Sequence, residues 1–235
     1  MLLKRRAQEL ISLADKTKRD FLCKEENLEG SISIGSGEFL STEILCGCIA
    51  AFRRKYPLVL YELYSGNADN IKDNIERGLL DIGLMSEPID IRKYEFISMP
   101  IKEQWGALVR EDSALAEMDY ITPDDLVGLP LISAVSNIAQ SSIGKWLGNR
   151  LGEAEFIAKG NLLYNEALLA QSNIGTVIAM RLNCRYNGLK FVPFKPVLES
   201  TTALAWKKEQ QFSAVASAFI DFAKKYISGI SRDDL

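Results

Sequence analysis

Residues 71–85 read Ile71-Lys-Asp-Asn-Ile75-Glu-Arg-Gly78-Leu-Leu-Asp81-Ile-Gly-Leu-Met85, and this stretch decides the fold. Ile71 and Ile75 stand four apart, one helical turn, so a short helix is expected over 67–77. Gly78 ends it, because glycine tolerates the left-handed turn that closes helices. The run from Leu79 to Met85 is almost wholly apolar, the pattern of a strand buried on both faces. Reading backwards, Leu58 to Tyr64 is a second strand. Pro57 closes a helix over 40–56 whose apolar face is Leu40, Ile44, Leu45, Cys48, Ile49 and Phe52, with Ser41 or Thr42 as its cap. Ser31 to Gly35 alternates polar and apolar, as a first strand does, and Gly35-Ser36-Gly37 is a turn. The order is βαβαβ, for which parallel pairing through right-handed crossovers is expected.

Reading forwards, the pattern is looser. Strands are expected at 96–100 and 105–109, followed by a capped turn at Thr122-Pro123-Asp124-Asp125-Leu126. Further strands fall at 130–133, 155–158, 176–180, 189–192 and 202–206, and helices at 141–147 and 165–172. A final helix over 212–227 carries Phe212, Val215, Ala216, Phe219, Ile220, Ala223 and Ile227 at three- and four-residue steps. At the other end, Leu3, Ala7, Leu10, Ala14, Thr17 and Phe21 follow a heptad seam, so residues 1–22 read as a helix that packs on its own domain or on a second chain.

Composition narrows the function. The chain has 235 residues, 28 Lys+Arg against 31 Asp+Glu, and no histidine. Ser-His-Asp and Cys-His catalysis and His-ligated metals are therefore excluded. An acidic chain is a poor binder of nucleic acid by itself, since phosphate neutralisation dominates that affinity. The four cysteines, Cys23, Cys46, Cys48 and Cys184, form no Cys-x-x-Cys pair, so no closed zinc site is expected. The charged N-terminus is not a signal peptide, and no apolar run is long enough to span a membrane. A cytoplasmic protein with reduced thiols is expected.

The motifs offer little chemistry. Gly35-Ser36-Gly37 lacks the later glycine, lysine and acid of the nucleotide fingerprints. Asp81 has no partner carboxylate near it and reads as structural, capping a neighbouring helix for example. Cys48 falls on the apolar face of its helix and reads as core. No serine occupies a Gly-x-Ser-x-Gly elbow. No catalytic residue, metal or cofactor is expected, and the chain reads as a binding protein rather than an enzyme. In α/β sheets ligands sit beyond the carboxyl ends of strands. The polar residues there are Ser36, Thr42, Ser65, Asn67, Ser86, Ser133, Ser136, Asn137, Tyr164 and Asn165; each is also explained by an ordinary turn or cap.

Several of these segments resemble the LysR-type transcriptional regulator family. They are Gly30 to Gly35, the FRRKYP of residues 52–57, Gly66-Asn67, Ile75 to Gly83, Asp125-Leu126 before Pro130-Leu131-Ile132, and Ile174-Gly175 before Thr176-Val177-Ile178. The resemblance covers about residues 30–227, and its strength lies in the order and spacing of motifs that are individually weak. It implies an α/β fold of two Rossmann-like subdomains, of periplasmic-binding-protein type, joined by two crossover strands. Subdomain one would be 30–107 with 202–235, subdomain two 108–201, and residues 1–29 the linker and dimerisation helix. A small-molecule effector would bind between the subdomains, at Ser36, Thr42, Ser133, Asn137, Tyr164, Asn165 and Arg181. Arg181 stands where members often carry proline, and its cation near the cleft motivates an anionic effector. The chain would act as a homodimer or homotetramer. It would reach DNA only through a winged helix-turn-helix that is absent from this chain, and it has no membrane partner. The alternative reading is a solute-binding protein of a transport system.

Overall fold

The computed structural model describes residues 28–230, together with Ala7, Leu10, Ile11 and Ala14. Those four positions are helical and exposed. The rest of the expected N-terminal helix, with Leu3, Thr17 and Phe21 of its seam, lies outside the described residues.

The first βαβαβ unit forms as its periodicity dictates. Strand β1 (Gly30–Ser36) pairs in parallel with β2 (Val59–Ser65) and β3 (Ile82–Ser86). Helix α1 (Thr42–Lys55) and helix α2 (Ala68–Glu76) are the crossovers. All five residues of β3 are buried. The strand begins three residues later than its apolar run, however. The N–H groups of Leu79 and Leu80 bond to the carbonyl of Asn74, while Gly78 turns with φ at +70°. The helix closure consumes both leucines before the ladder starts.

The two strands expected at 96–100 and 105–109 are one strand, β4 (Tyr94–Arg110). It pairs antiparallel with β9 (Glu199–Lys207), and the register slips between Ser98 and Lys102. Pro100 sits in that gap, where a residue without N–H interrupts the ladder at least cost. Beyond it, β4 enters a second set of strands. There it pairs with β7 (Thr176–Met180) on one side and β8 (Leu189–Pro193) on the other. Strand β5 (Pro130–Ala134) runs parallel to β7 and to β6 (Glu155–Gly160). The hydrogen-bonded path is β2-β1-β3-β9-β4-β7-β5-β6, with β8 on β4.

Helices cover both faces of each half. In the first, α1 and α5 (Ala214–Ser228) bury Phe52 and Phe219 against Ile32, Ile34 and Leu204, and α2 sets Ile71 and Ile75 against the opposite face. In the second, α3 (Asn137–Leu147) sets Ile143 and Trp146 against Trp105 and Phe194. Helix α4 (Leu163–Gln171) sets Ala167 and Ala170 against Leu108, Ile132 and Val177. A fully buried aromatic side chain contributes about 1.5–3 kcal/mol, and two such cores hold two subdomains together internally. Among the described residues, only β4 and β9 carry the chain between them, which is the two-subdomain, two-crossover architecture of periplasmic-binding-protein type. No helix among the described residues is long and apolar enough to cross a membrane.

Candidate functional site

The carboxyl ends of the parallel strands in both subdomains face one cleft. From the first come Gly37 to Phe39 after β1, Gly66 to Ala68 after β2, and Ser86 at the end of β3. From the second come Ser136 and Ala139 at the start of α3, Asn161 and Glu166 at α4, and Met180 at the end of β7. Trp105, where β4 enters the second subdomain, closes the floor. The cavity between them is about 100 Å³, too small for a drug-sized molecule in this closed arrangement.

Helix N-termini point into this region, and the chain supplies their anions. Glu103 of β4 is fully buried, and its carboxylate accepts from the N–H groups of Leu40 (2.8 Å) and Ser41 (3.0 Å), just before α1. Ser41 occupies the cap position but makes no capping bond with its own side chain, because the distant carboxylate does that work. Asn67 caps α2 by accepting from the N–H of Asn70 at 2.9 Å. The other two anions cross the cleft. Asp69, in the first turn of α2, accepts from the Asn137 side-chain amide at 3.2 Å and its N–H at 3.4 Å. Glu38, after β1, accepts from the N–H of Leu163 at the start of α4. Two carboxylates of the first subdomain thus latch onto two helix starts of the second.

Glu166 differs from all of these. It is only 4% exposed and lines the cavity, lying against Gly160 of β6, yet it accepts no hydrogen bond from any described residue. Burial, with the neighbouring negative charge of Glu38, pushes its carboxyl up to about 7.

The seven effector residues expected from the sequence are dispersed. Ser36 donates to the carbonyl of Gly37 at 2.7 Å and lies 3.3 Å from the Thr42 hydroxyl. Both line a second cavity of about 340 Å³, between α1, the end of β2 and residues 182–184. Ser133 is buried within β5. Asn137 is the latch to Asp69. Tyr164 and Asn165 are exposed on the first turn of α4. Arg181 is exposed, its N–H bonded to the carbonyl of Gln104 at 2.8 Å, and it lines neither cavity. From the wider set of strand-end residues, Asn67, Ser86 and Ser136 do line the cleft cavity. Sequence reasoning missed Glu38, Asp69, Glu103 and Glu166. A clue to the last was present: Glu166 shares a helix face with Ala170, within an otherwise apolar stretch.

Two expected structural roles are also visible. Asp81 accepts from the N–H and hydroxyl of Ser33, both at 2.8 Å, and so clasps the entry of β3 to β1 rather than capping a helix. Cys48 is buried in the first core, and burial pushes its thiol up to about 12, which keeps it unreactive. Among the described residues, no group of acids and cysteines is arranged to hold a metal ion.

Comparison with known proteins follows the same lines. Among relatives, a Bacillus subtilis protein, the uncharacterised HTH-type transcriptional regulator YoaU, is 43% identical over 63 residues, covering 27% of this chain and 22% of that protein. Among solved structures, the effector-binding domain of QuiR in complex with shikimate superposes with a TM-score of 0.73 at 19% identity, over 86% of this chain and 98% of that one. The Synechocystis PCC6803 CcmR regulatory domain in complex with 2-PG superposes with a TM-score of 0.69 at 13% identity, over 85% and 98%. These likenesses in structure bear on the fold. The first curated relatives are matched over less than half of their own length. Residues 25–228 match the LysR substrate binding domain, nearly the whole of the described chain. The chain belongs to the LysR substrate-binding-domain family.

Proposed function

We propose that this chain is the ligand-sensing and oligomerisation portion of a LysR-type transcriptional regulator acting in the cytoplasm. The observation that carries this reading is the cavity at the junction of two subdomains, lined by strand ends from both and spanned by the Glu38 and Asp69 latches. A small molecule bound there touches both subdomains at once. It therefore has different affinities for the closed and open arrangements, which is the requirement for shifting their populations. Two solved structures of the same fold, QuiR and CcmR, are complexes with the small molecules shikimate and 2-PG, and they lend support.

The proposed subdomain division, 30–107 with 202–235 and 108–201, is supported by the two crossover strands, and the packing of Trp105 and Ala107 in the second core favours a junction a few residues earlier, between Lys102 and Trp105. The effector sits between the start of α3, where Asn137 lies, and the start of α4, with Tyr164 and Asn165 at its rim. The exposed seam residues Ala7, Leu10 and Ala14 support pairing of the N-terminal helix with a second chain, to give a homodimer or a homotetramer. Operator DNA would be reached through a winged helix-turn-helix rather than through this acidic sensing portion.

The test is a thermal-shift panel of amino acids, organic acids, sugars and nucleosides. A ligand of the native state raises the melting temperature by mass action. A response confined to one chemical class, lost when Ala139 is replaced by Trp to fill the cavity, is the expected outcome. A response that survives the filled cavity would move the sensing site elsewhere. Native mass separates this reading from a transport receptor, which needs no dimer.

A further inference from the structure

The cleft cavity carries charge of a single sign. Among the described residues its charged lining groups are Glu38 and Glu166, and no lysine or arginine lines it. The rest of the wall is mainly apolar, with Phe39, Trp105, Ile178 and Met180. Glu38 is occupied at the N–H of Leu163, but Glu166 is buried without a hydrogen-bond donor among the described residues. The residue is buried, yet its carboxylate oxygens are not among the fully enclosed unpartnered atoms of the described residues, so the carboxylate reaches the cavity, where a donor from a ligand would offset its lost hydration. Its position against Gly160 leaves it little freedom to turn away: a Cβ there would stand 2.4 Å from its Oε1. Arg181, the cation nearest in sequence to the cleft wall, is exposed and outside the lining.

We propose that the cleft takes a small cation with an apolar body, a primary amine or an amidine, whose N–H groups donate to Glu166 with Glu38 as the second acceptor. This rests on the effector-cleft reading above and narrows it to a ligand class. The positive head replaces the missing donor, and the apolar body lies against Phe39, Trp105 and Met180. An anionic effector would meet two carboxylates and no cation.

The experiment uses two matched sets on the full chain at pH 8: isobutylamine, isobutanol and isobutyrate, then benzylamine, benzyl alcohol and benzoate. Thermal shift and calorimetry are read on the wild type, Glu166→Gln and Glu166→Asp. At least one amine is expected to bind about tenfold or more tighter than its alcohol and its carboxylate. Glu166→Gln is expected to weaken that amine by about tenfold or more, and Glu166→Asp to restore part of the loss. Should Glu166→Gln fail to fold, Glu38→Gln gives the same readout with a smaller loss. An alcohol or carboxylate that binds as well as the amine, or an amine indifferent to Glu166→Gln, overturns the charge assignment and leaves the effector cleft standing. Silence from all six compounds also overturns the amine assignment, while the cleft itself stands or falls with the broader panel and the Ala139→Trp variant.

Discussion

Buried acids set the behaviour of this molecule residue by residue. Glu103 satisfies two N–H groups ahead of α1 from a strand on another part of the chain. Removing a charged acceptor strands both donors, so Glu103→Ala is expected to cost about 2–4 kcal/mol in urea denaturation. Glu166 acts in the opposite direction. Its carboxyl would titrate near 4.5 when unfolded and near 7 when folded. Between those values the folded state holds more protons, so stability falls as pH rises through that window. The contribution is intact below about 4.5 and lost above about 7, a change of about 3 kcal/mol. The titratable groups around it are Glu38, which raises it further, and Tyr186 with its partner Cys184. Glu166→Gln is expected to flatten this part of a stability-against-pH curve and to raise the melting temperature at pH 8. A variant curve parallel to the wild type would show that the carboxyl finds a partner in solution. The role of neither acid was legible in the sequence. Nothing local marks Glu103 as a cap, because its donors lie more than sixty residues away. Glu166 shares a helix face with Ala170, so its burial left a trace in the spacing, but its want of a donor depends on segments far along the chain.

At the scale of the element, the sequence was far more informative. Periodicity alone placed α1, α2 and α5 to within a few residues, since each buries a continuous apolar stripe against a sheet. Phe219 shows how much one such stripe carries. It is fully buried and meets the Phe52 ring edge-on, with centroids 5.2 Å apart. Phe219→Ala is expected to cost about 3–5 kcal/mol, measured by chemical denaturation, with no change in ligand preference. What periodicity could not show was continuity. Strand β4 looked like two strands because Pro100 and the polar run after it break the alternation; hydrogen bonds to β9 on both sides of the slip make it one. Helix α3 likewise starts four residues earlier than its apolar spacing, at the residue that meets Asp69 across the cleft. Partners from distant segments extended both elements, and no window of local sequence contains them.

For the whole molecule, the question is what holds the two subdomains closed. The Asp69–Asn137 and Glu38–Leu163 contacts are exposed, so each is worth only about 0.5–1 kcal/mol. That is a useful size for a sensor, because a ligand of ordinary affinity can outweigh it. Asp69→Ala is expected to weaken effector binding by about two- to fivefold and to enlarge the ligand-free particle in X-ray solution scattering. An unchanged scattering profile together with unchanged affinity would mean that crossover-strand stiffness alone sets closure.

The shared strands also fix how the protein would respond to mechanical load. The first described strand and the last helix belong to the same subdomain, and the second subdomain leaves and returns at a paired point, Gln104 opposite Glu199. A pull on the two chain ends therefore runs through the first subdomain and is bridged at the base of the second. The second half is shielded from tension until the pairing of β4 with β9 tears. In an optical trap the molecule is expected to yield in two steps of fixed order, the terminal half first and the enclosed half after it.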